Sequence, residues 1–134
     1  MTLRGIYEAL EEVSLSVPDV LTFIPNDITR LNEMRNVKYG VAGVTQNQHS
    51  CDREFMRYSL NIFYVDRLLN SGDNEVEIQS HAISVLHQIV LAMEEYASAG
   101  DEQYNVFTQR FQDLCAGAWV TVTFSVPVSE CVEI

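Results

Sequence analysis

Histidine and cysteine are the side chains most easily recruited for catalysis or metal binding, and this 134-residue chain has three of each. His81 and His87 lie six residues apart in a segment with helical periodicity. That spacing turns them about 600 degrees around the axis, onto faces that lean apart, so one metal ion cannot readily use both. Glu77 and His81, at i and i+4, can reach a common ligand, but such an exposed pair on a helix is far more often surface decoration than a metal site. His49 and Cys51 stand two apart in a polar segment, where an imidazole-activated thiolate is the chemistry to look for. Neighbours at that spacing seldom reach the required geometry, and no third helper is recognisable. Asp66 and Arg67 close an apolar run, a place for a structural ion pair or a contact with an adjacent subunit. A second carboxylate that would turn Asp66 toward hydrolysis cannot be placed.

Cys51, Cys115 and Cys131 form an odd set without CxxC spacing, so reduced thiols are expected. The sequence has no GxGxxG, no GxxxxGK[ST], no HExxH and no GxSxG. These residues therefore predict no catalytic group, no cofactor, no metal ligand and no enzyme.

The elements that position these residues follow from periodicity. Leu3, Ile6, Leu10 and Val13 against Glu8, Glu11 and Glu12 predict an amphipathic first helix with Thr2 as its N-cap. Pro18 ends it, and Val20 to Ile24 before Pro25 suit a short strand or extended loop. Asn26 or Asp27 can cap a short helical turn through Ile28, Leu31 and Met34, stopped at Asn36. Tyr39, Val41, Val44 and Thr45 predict a strand, in which Gly40 or Gly43 allows a bulge or close backbone approach. Tyr58, Leu60, Ile62 and Tyr64 alternate with Arg57, Ser59, Asn61 and Phe63, the clearest strand signal of the chain.

Turn formers from Asn70 to Asn74 lead to a central helix with Asn74 and Glu77 as a capping box and an apolar stripe from Ile78 to Met93. Ser98 to Gln103 breaks the pattern. Val106, Phe107 and Phe111 then resume before a turn at Cys115 to Gly117. Ala118, Val120, Val122, Phe124 and Val126 alternate up to Pro127, and the last two β segments are expected to form a hairpin. The expected fold is one α+β domain spanning residues 1–134: an antiparallel sheet of about four strands, two helices packed on one face, and a short C-terminal tail. The other face is expected to be only partly covered, a reason to expect an oligomer.

Eight Lys and Arg against 19 Asp and Glu give a net charge of -11. So few cations disfavour sequence-specific nucleic-acid binding, while an acidic wall suits a lumen through which DNA slides. No run approaches the roughly 20 apolar residues that span a bilayer, and the N-terminus carries no signal pattern, so no membrane partner is expected.

Three segments resemble, as a set, small structural proteins from the virion gene clusters of phages and prophages of Bacteroidales, including crAss-like phages. They are Asn36-Val37-Lys38-Tyr39-Gly40-Val41, Tyr58 to Leu68, and Asp113 to Trp119 leading to Val126-Pro127. The likeness runs from about residue 26 onward. The order of elements is also similar to the tail-terminator and tail-completion family of tailed phages. Where that family often shows Pro after the Tyr of the first strand, this chain has Gly40.

The resemblance implies a homo-oligomeric ring at the head-to-tail junction or tail, next to portal, connector or tail proteins, made in the host cytoplasm before assembly. It supplies no catalytic residues. The candidate interface residues are Gln46, His49 and Arg53 in the polar loop, Asp66 and Arg67 at the strand end, and Val128 to Ile134 in the tail. Other readings are a capsid decoration or tail accessory protein, or a small enzyme or ligand module using His49, Cys51 or His87.

Overall fold

The computed structural model describes residues 1–25, 38–68, 74–110 and 114–130. The expected helical turn through Ile28, Leu31 and Met34, the turn at 70–73, Phe111, Cys131 and Ile134 lie outside the described residues.

Helix α1 (Leu3–Ser16) starts where Thr2 Oγ1 accepts from the backbone N–H of Gly5 at 3.2 Å, the N-cap expected from sequence. Helix α2 (Glu75–Met93) begins after Asn74, whose side chain makes no capping hydrogen bond; the expected capping box is not formed. The first turn of α2 is instead favoured by Glu75 and Glu77 at the positive end of the helix dipole.

The strands are β1 (Thr22–Ile24), β2 (Val41–Gln46), β3 (Ser50–Cys51), β4 (Phe55–Arg67), β5 (Ser98–Arg110) and β6 (Leu114–Pro127). They form a six-stranded sheet in the order β1-β2-β4-β6-β5, with β3 paired to β4. β5 and β6 pair antiparallel as expected, but the turn expected at Cys115 to Gly117 is not there: those residues lie inside β6, paired with Phe107 to Gln109 of β5.

The expected four-stranded antiparallel sheet is thus corrected on two counts: the sheet has six strands, and it is mixed, because β1 runs parallel to β2. The extra strands are β1 and β3, with three and two residues, too short to show a period of two. The parallel pairing depends on where the chain returns after residue 25, which local pattern does not encode.

One face of the sheet is dry. Ala42 and Val44 of β2, Tyr58 to Tyr64 at alternate positions of β4, and Ala118 to Val126 at alternate positions of β6 join Ile6, Leu10 and Val13 of α1 and Ala82 to Met93 of α2 in one cluster. Both helices therefore cover the same face. The opposite face, called the open face because no helix covers it among the described residues, carries a smaller cluster of Ile24, Val41, Phe63, Val65 and Cys115 that is itself buried, flanked by the half-buried Tyr39, Phe107 and Trp119. Gly43 explains how Phe63 lies there: a Cβ on it would come within 2.3 Å of the Phe63 ring and 2.4 Å of the Ile24 carbonyl. No helix among the described residues is long and apolar enough to cross a membrane.

Candidate assembly surfaces

The sequence-derived interface residues fall into two groups, one along the first half of β4 and the other at its end. Gln46 and His49 lie beside Leu60 and Ser59, and Arg53 sits in the turn before Phe55. Asp66 and Arg67 close the strand, on the order of 20–40 Å away at 3.3 Å per residue.

At the loop end the backbone is tied down. The Ser59 N–H donates to His49 Nδ1 at 3.1 Å, so the ring proton sits on Nε2, 2.9 Å from Gln46 Oε1. The imidazole also meets the Tyr58 ring edge-on at 5.5 Å between centroids. Asp52 organises the turn that carries Arg53: Oδ1 accepts from the Glu54 and Phe55 amides at 2.8 and 2.7 Å, and Oδ2 binds the Arg57 guanidinium. The Arg57 bond, then the two amides, hold the Asp52 carboxyl down at about 2 from its ordinary 3.8. Val128 opens a 3-10 turn (Val128–Glu130) and donates its N–H to the Glu54 carbonyl at 2.9 Å, so the tail starts beside this loop.

At the other end, Asp66 Oδ1 accepts from the Arg67 amide at 2.8 Å, while the Arg67 guanidinium lies 5.7 Å from the centroid of the Tyr39 ring. Consecutive strand residues point to opposite faces, so Asp66 belongs to the helix side and Arg67 to the open face. Next to Arg67 are the apolar positions of the open face, Val65, Cys115, Phe63 and Trp119, with the Phe107 and Trp119 rings 5.6 Å apart. Farther along, the open face turns polar: Asn61 exchanges amide hydrogen bonds with Asn47 at 2.8 and 3.0 Å and accepts from Thr121 Oγ1 at 2.7 Å.

Charge separates the two faces. The helix layer carries Glu8, Glu11, Glu12, Glu75, Glu77, Glu94 and Glu95 against Arg4. Among the described strand positions of the open face the ionic groups are Arg57 and Arg67.

The groups screened for chemistry are engaged structurally. Both ring nitrogens of His49 are occupied, and the Cys51 thiol donates to the Asp52 carbonyl at 3.2 Å. His81 Nε2 lies 3.5 Å from Asp19 Oδ2, on the edge of the Tyr64 ring. Burial, with Asp66 and Asp19 nearby, pushes the Tyr64 phenol up to about 12. His87 Nδ1 lies 3.2 Å from the Tyr104 hydroxyl, which donates to Glu102 Oε1 at 2.9 Å; burial and that carboxylate push the Tyr104 phenol up. Among the described residues no three His, Cys, Asp or Glu side chains converge as a metal site.

Sequence reasoning did not single out Tyr39, Phe63, Phe107 and Trp119 as a surface group. The signal available was the single aromatic residue amid the polar and small odd positions of β6, Trp119, and Phe63 near the end of β4; Tyr39 and Phe107 join them only through strand pairing. No protein-family model matches the chain, and no curated protein matches it.

Proposed function

We propose that this chain is a structural virion protein, a ring-forming head-to-tail connector or tail-terminator subunit that joins the portal or neck to the tail. The observation that carries this reading is where the segments of the resemblance meet. Tyr39 and Val41, Phe63 to Arg67, and Cys115 to Trp119 are remote in sequence, yet they lie side by side through the pairs Val41↔Val65, Val65↔Gly117 and Phe63↔Trp119. Their shared product is the apolar end of the open face, where Arg67 and the half-buried Trp119 supply the residue types enriched at interfaces.

The second support is polarity of placement. A ring closes through heterologous contacts, which need two different surfaces on each subunit. The Gln46–Arg53 loop and the Arg67–Trp119 end of the sheet are two such surfaces. A copy that offers its loop to the next copy's aromatic end repeats around a closed axis. The neighbours in the particle are portal, connector or tail proteins. The acidic helix layer suits a wall past which DNA moves without being gripped.

The test is the protein's position and symmetry. Electron micrographs of purified virions, fitted with subunit density, are expected to place it as a ring on the portal–tail axis. Density on the capsid surface or along the tail side would reassign it to a decoration or accessory role and overturn the connector reading. Recombinant Arg67→Glu, Trp119→Ala and unaltered protein are expected to separate by mass, with rings only from the unaltered chain.

A further inference from the structure

Imidazole is the side chain whose charge changes near neutral pH, and its partner decides what that change does. His81 lies 3.5 Å from Asp19 and His87 3.8 Å from Glu102, so a proton on either ring draws it toward a carboxylate. His49 has the opposite partner: the Ser59 N–H donates to its Nδ1 at 3.1 Å. A ring nitrogen that accepts from an amide must offer its lone pair, so this bond requires the neutral ring.

The bond stands where the backbone ladder is interrupted. β2 and β4 pair regularly as far as Gln46↔Leu60, and Asn47 still donates its N–H to the Ser59 carbonyl at 2.9 Å. In a regular antiparallel pair Ser59 would return its own N–H to the Asn47 carbonyl. It turns to His49 Nδ1 instead. Pairing resumes at Ser50↔Arg57, so Asn47, Gln48 and His49 lie against Tyr58 and Ser59, one residue more on the loop side than on β4. The imidazole thus replaces a backbone carbonyl at a bulge. The edge of the Tyr58 ring and the bond from Nε2 to Gln46 Oε1 hold it in place.

The titratable groups around the ring are Tyr58 and Arg57 of β4, Cys51 and Asp52 of the loop with Arg53 and Glu54 in the exposed turn beyond, and Tyr7 of α1, which reaches Gln46. The Arg57 bond holds the Asp52 carboxyl at about 2, and burial pushes the Tyr7 phenol up. Neither changes state in the window where an imidazole does.

We infer that His49 is a pH-sensitive latch: the neutral ring fastens the Gln46–Arg53 loop to β4, and protonation releases it. An imidazolium carries N–H on both nitrogens and no lone pair, so Nδ1–H would point at the Ser59 N–H and the bond becomes a repulsion. The half-buried Ser59 amide then loses its partner. Asp52 still pins the far end through the Glu54 and Phe55 amides, so the part that comes loose is the bulge and β3, Asn47 to Cys51. The latch contributes fully where the imidazole is neutral, and its contribution is lost as pH falls through the imidazole range, ordinarily about 6.5. Because the loop is one of the two ring surfaces, the same proton regulates assembly: neighbours hold each other while His49 is neutral and let go when it is charged. That last step rests on the ring reading; the latch itself does not.

Amide exchange at Ser59 tests the latch, and particle mass tests its consequence. Protection of the Ser59 amide, relative to a free peptide at the same pH, is expected to fall about tenfold between about pH 7.5 and about pH 5. His49→Asn places Oδ1 where Nδ1 stood, an acceptor that takes no proton, and is expected to keep the protection at both pH values. His49→Ala is expected to lack it at both. Rings of the unaltered chain are expected to dissociate at the lower pH, and rings of His49→Asn to persist. Equal Ser59 protection at both pH values in the unaltered chain, or a fall as large in His49→Asn, would overturn the latch. Rings of the unaltered chain that persist while Ser59 is unprotected would overturn its link to assembly. An absence of rings at either pH, with Ser59 still responding, would overturn the ring reading alone.

Discussion

The two faces of this sheet are built from the same three long strands, and they differ in what holds them. On the helix side, Tyr58, Leu60, Ile62 and Tyr64 of β4 oppose Phe124, Val122, Val120 and Ala118 of β6 in a dry layer sealed by α1 and α2. On the open side the same strands alternate between an aromatic end around Phe63 and Trp119 and a polar stretch at Asn61 and Thr121. The helix side is held by packing, which is costly to disturb. The open side is held by close backbone approach, by hydrogen bonds and by its own small buried cluster, and what it leaves to a neighbour is Arg67 and the half-buried aromatic residues at the margin of that cluster. A sheet with one sealed face can thus dedicate the other to contact.

That contrast breaks most sharply at Phe124, fully buried under the helices. Phe124→Ala is expected to cost about 3–5 kcal/mol in denaturant unfolding, the range for a large core truncation with its cavity. A loss under about 1 kcal/mol would mean that the helix layer does not seal this face.

Gly117 is the strongest probe of the open side, because a Cβ there would come within 2.0 Å of the Tyr64 carbonyl oxygen. Gly117→Ala is expected to cost about 2–3 kcal/mol through overpacking against backbone. If stability were unchanged, β4 and β6 would not approach as closely as described.

Asn61 tests the polar stretch. Asn61→Ala removes its bonds to Asn47 and Thr121, and about 1 kcal/mol is expected because the group is half-buried. A loss as large as at Phe124 would erase the distinction between the faces.

The smallest effect is at the exposed Asp52 turn. A carboxyl depressed in the folded state contributes stability above its unfolded value, and that contribution is lost as pH falls through the folded value. The Asp52 contribution is therefore present above about 4 and fades toward pH 2. Carbon-detected NMR titration is expected to place the Asp52 midpoint near 2, rising toward 3.8 in Arg57→Ala. A midpoint near 3.8 in the unaltered protein would remove the Arg57–Asp52 bond from the account.

Where the chain repeats a period long enough to count, the sequence is sufficient. The stripe of α2 and the alternations of β4 and β6 locate the core residues, and Thr2 locates the start of α1. Where an element is held by a distant partner, local pattern does not decide. It left Val20 to Ile24 between a short strand and an extended loop, which the parallel pairing of Thr22 to Ile24 with β2 resolves, and it missed β3, which exists because Ser50 and Cys51 fold back on Met56 and Arg57. The start of β5, Ser98 to Gln103, reads as a break because the bulge at Gly100 to Gln103 interrupts the alternation that the rest of the strand obeys.

The interface residues divide in the same way. Asp66 and Arg67 are visible as a charged strand end, but their separation onto two faces needs the pleat, and the aromatic group beside Arg67 needs the pairing of β4 with β6. The His49 loop looked like a candidate for reactivity because its side chains are polar. Those polar groups are the ones that anchor the loop to Ser59 and Gln46.

The separation of charge between the faces has an effect before any contact forms. Among the described helix and strand positions, seven glutamates in the helix layer stand against Arg67 and the Asp52-paired Arg57 across the sheet, an uneven distribution of charge through the thickness of these two layers. Two copies, or a copy and a charged assembly, exert a torque on each other while still separated by about a Debye length, roughly 10 Å at 0.1 M salt. Encounter is therefore orientationally biased, and the bias acts on the rate of assembly more than on its final strength. Raising the salt should slow docking well before it loosens what has docked.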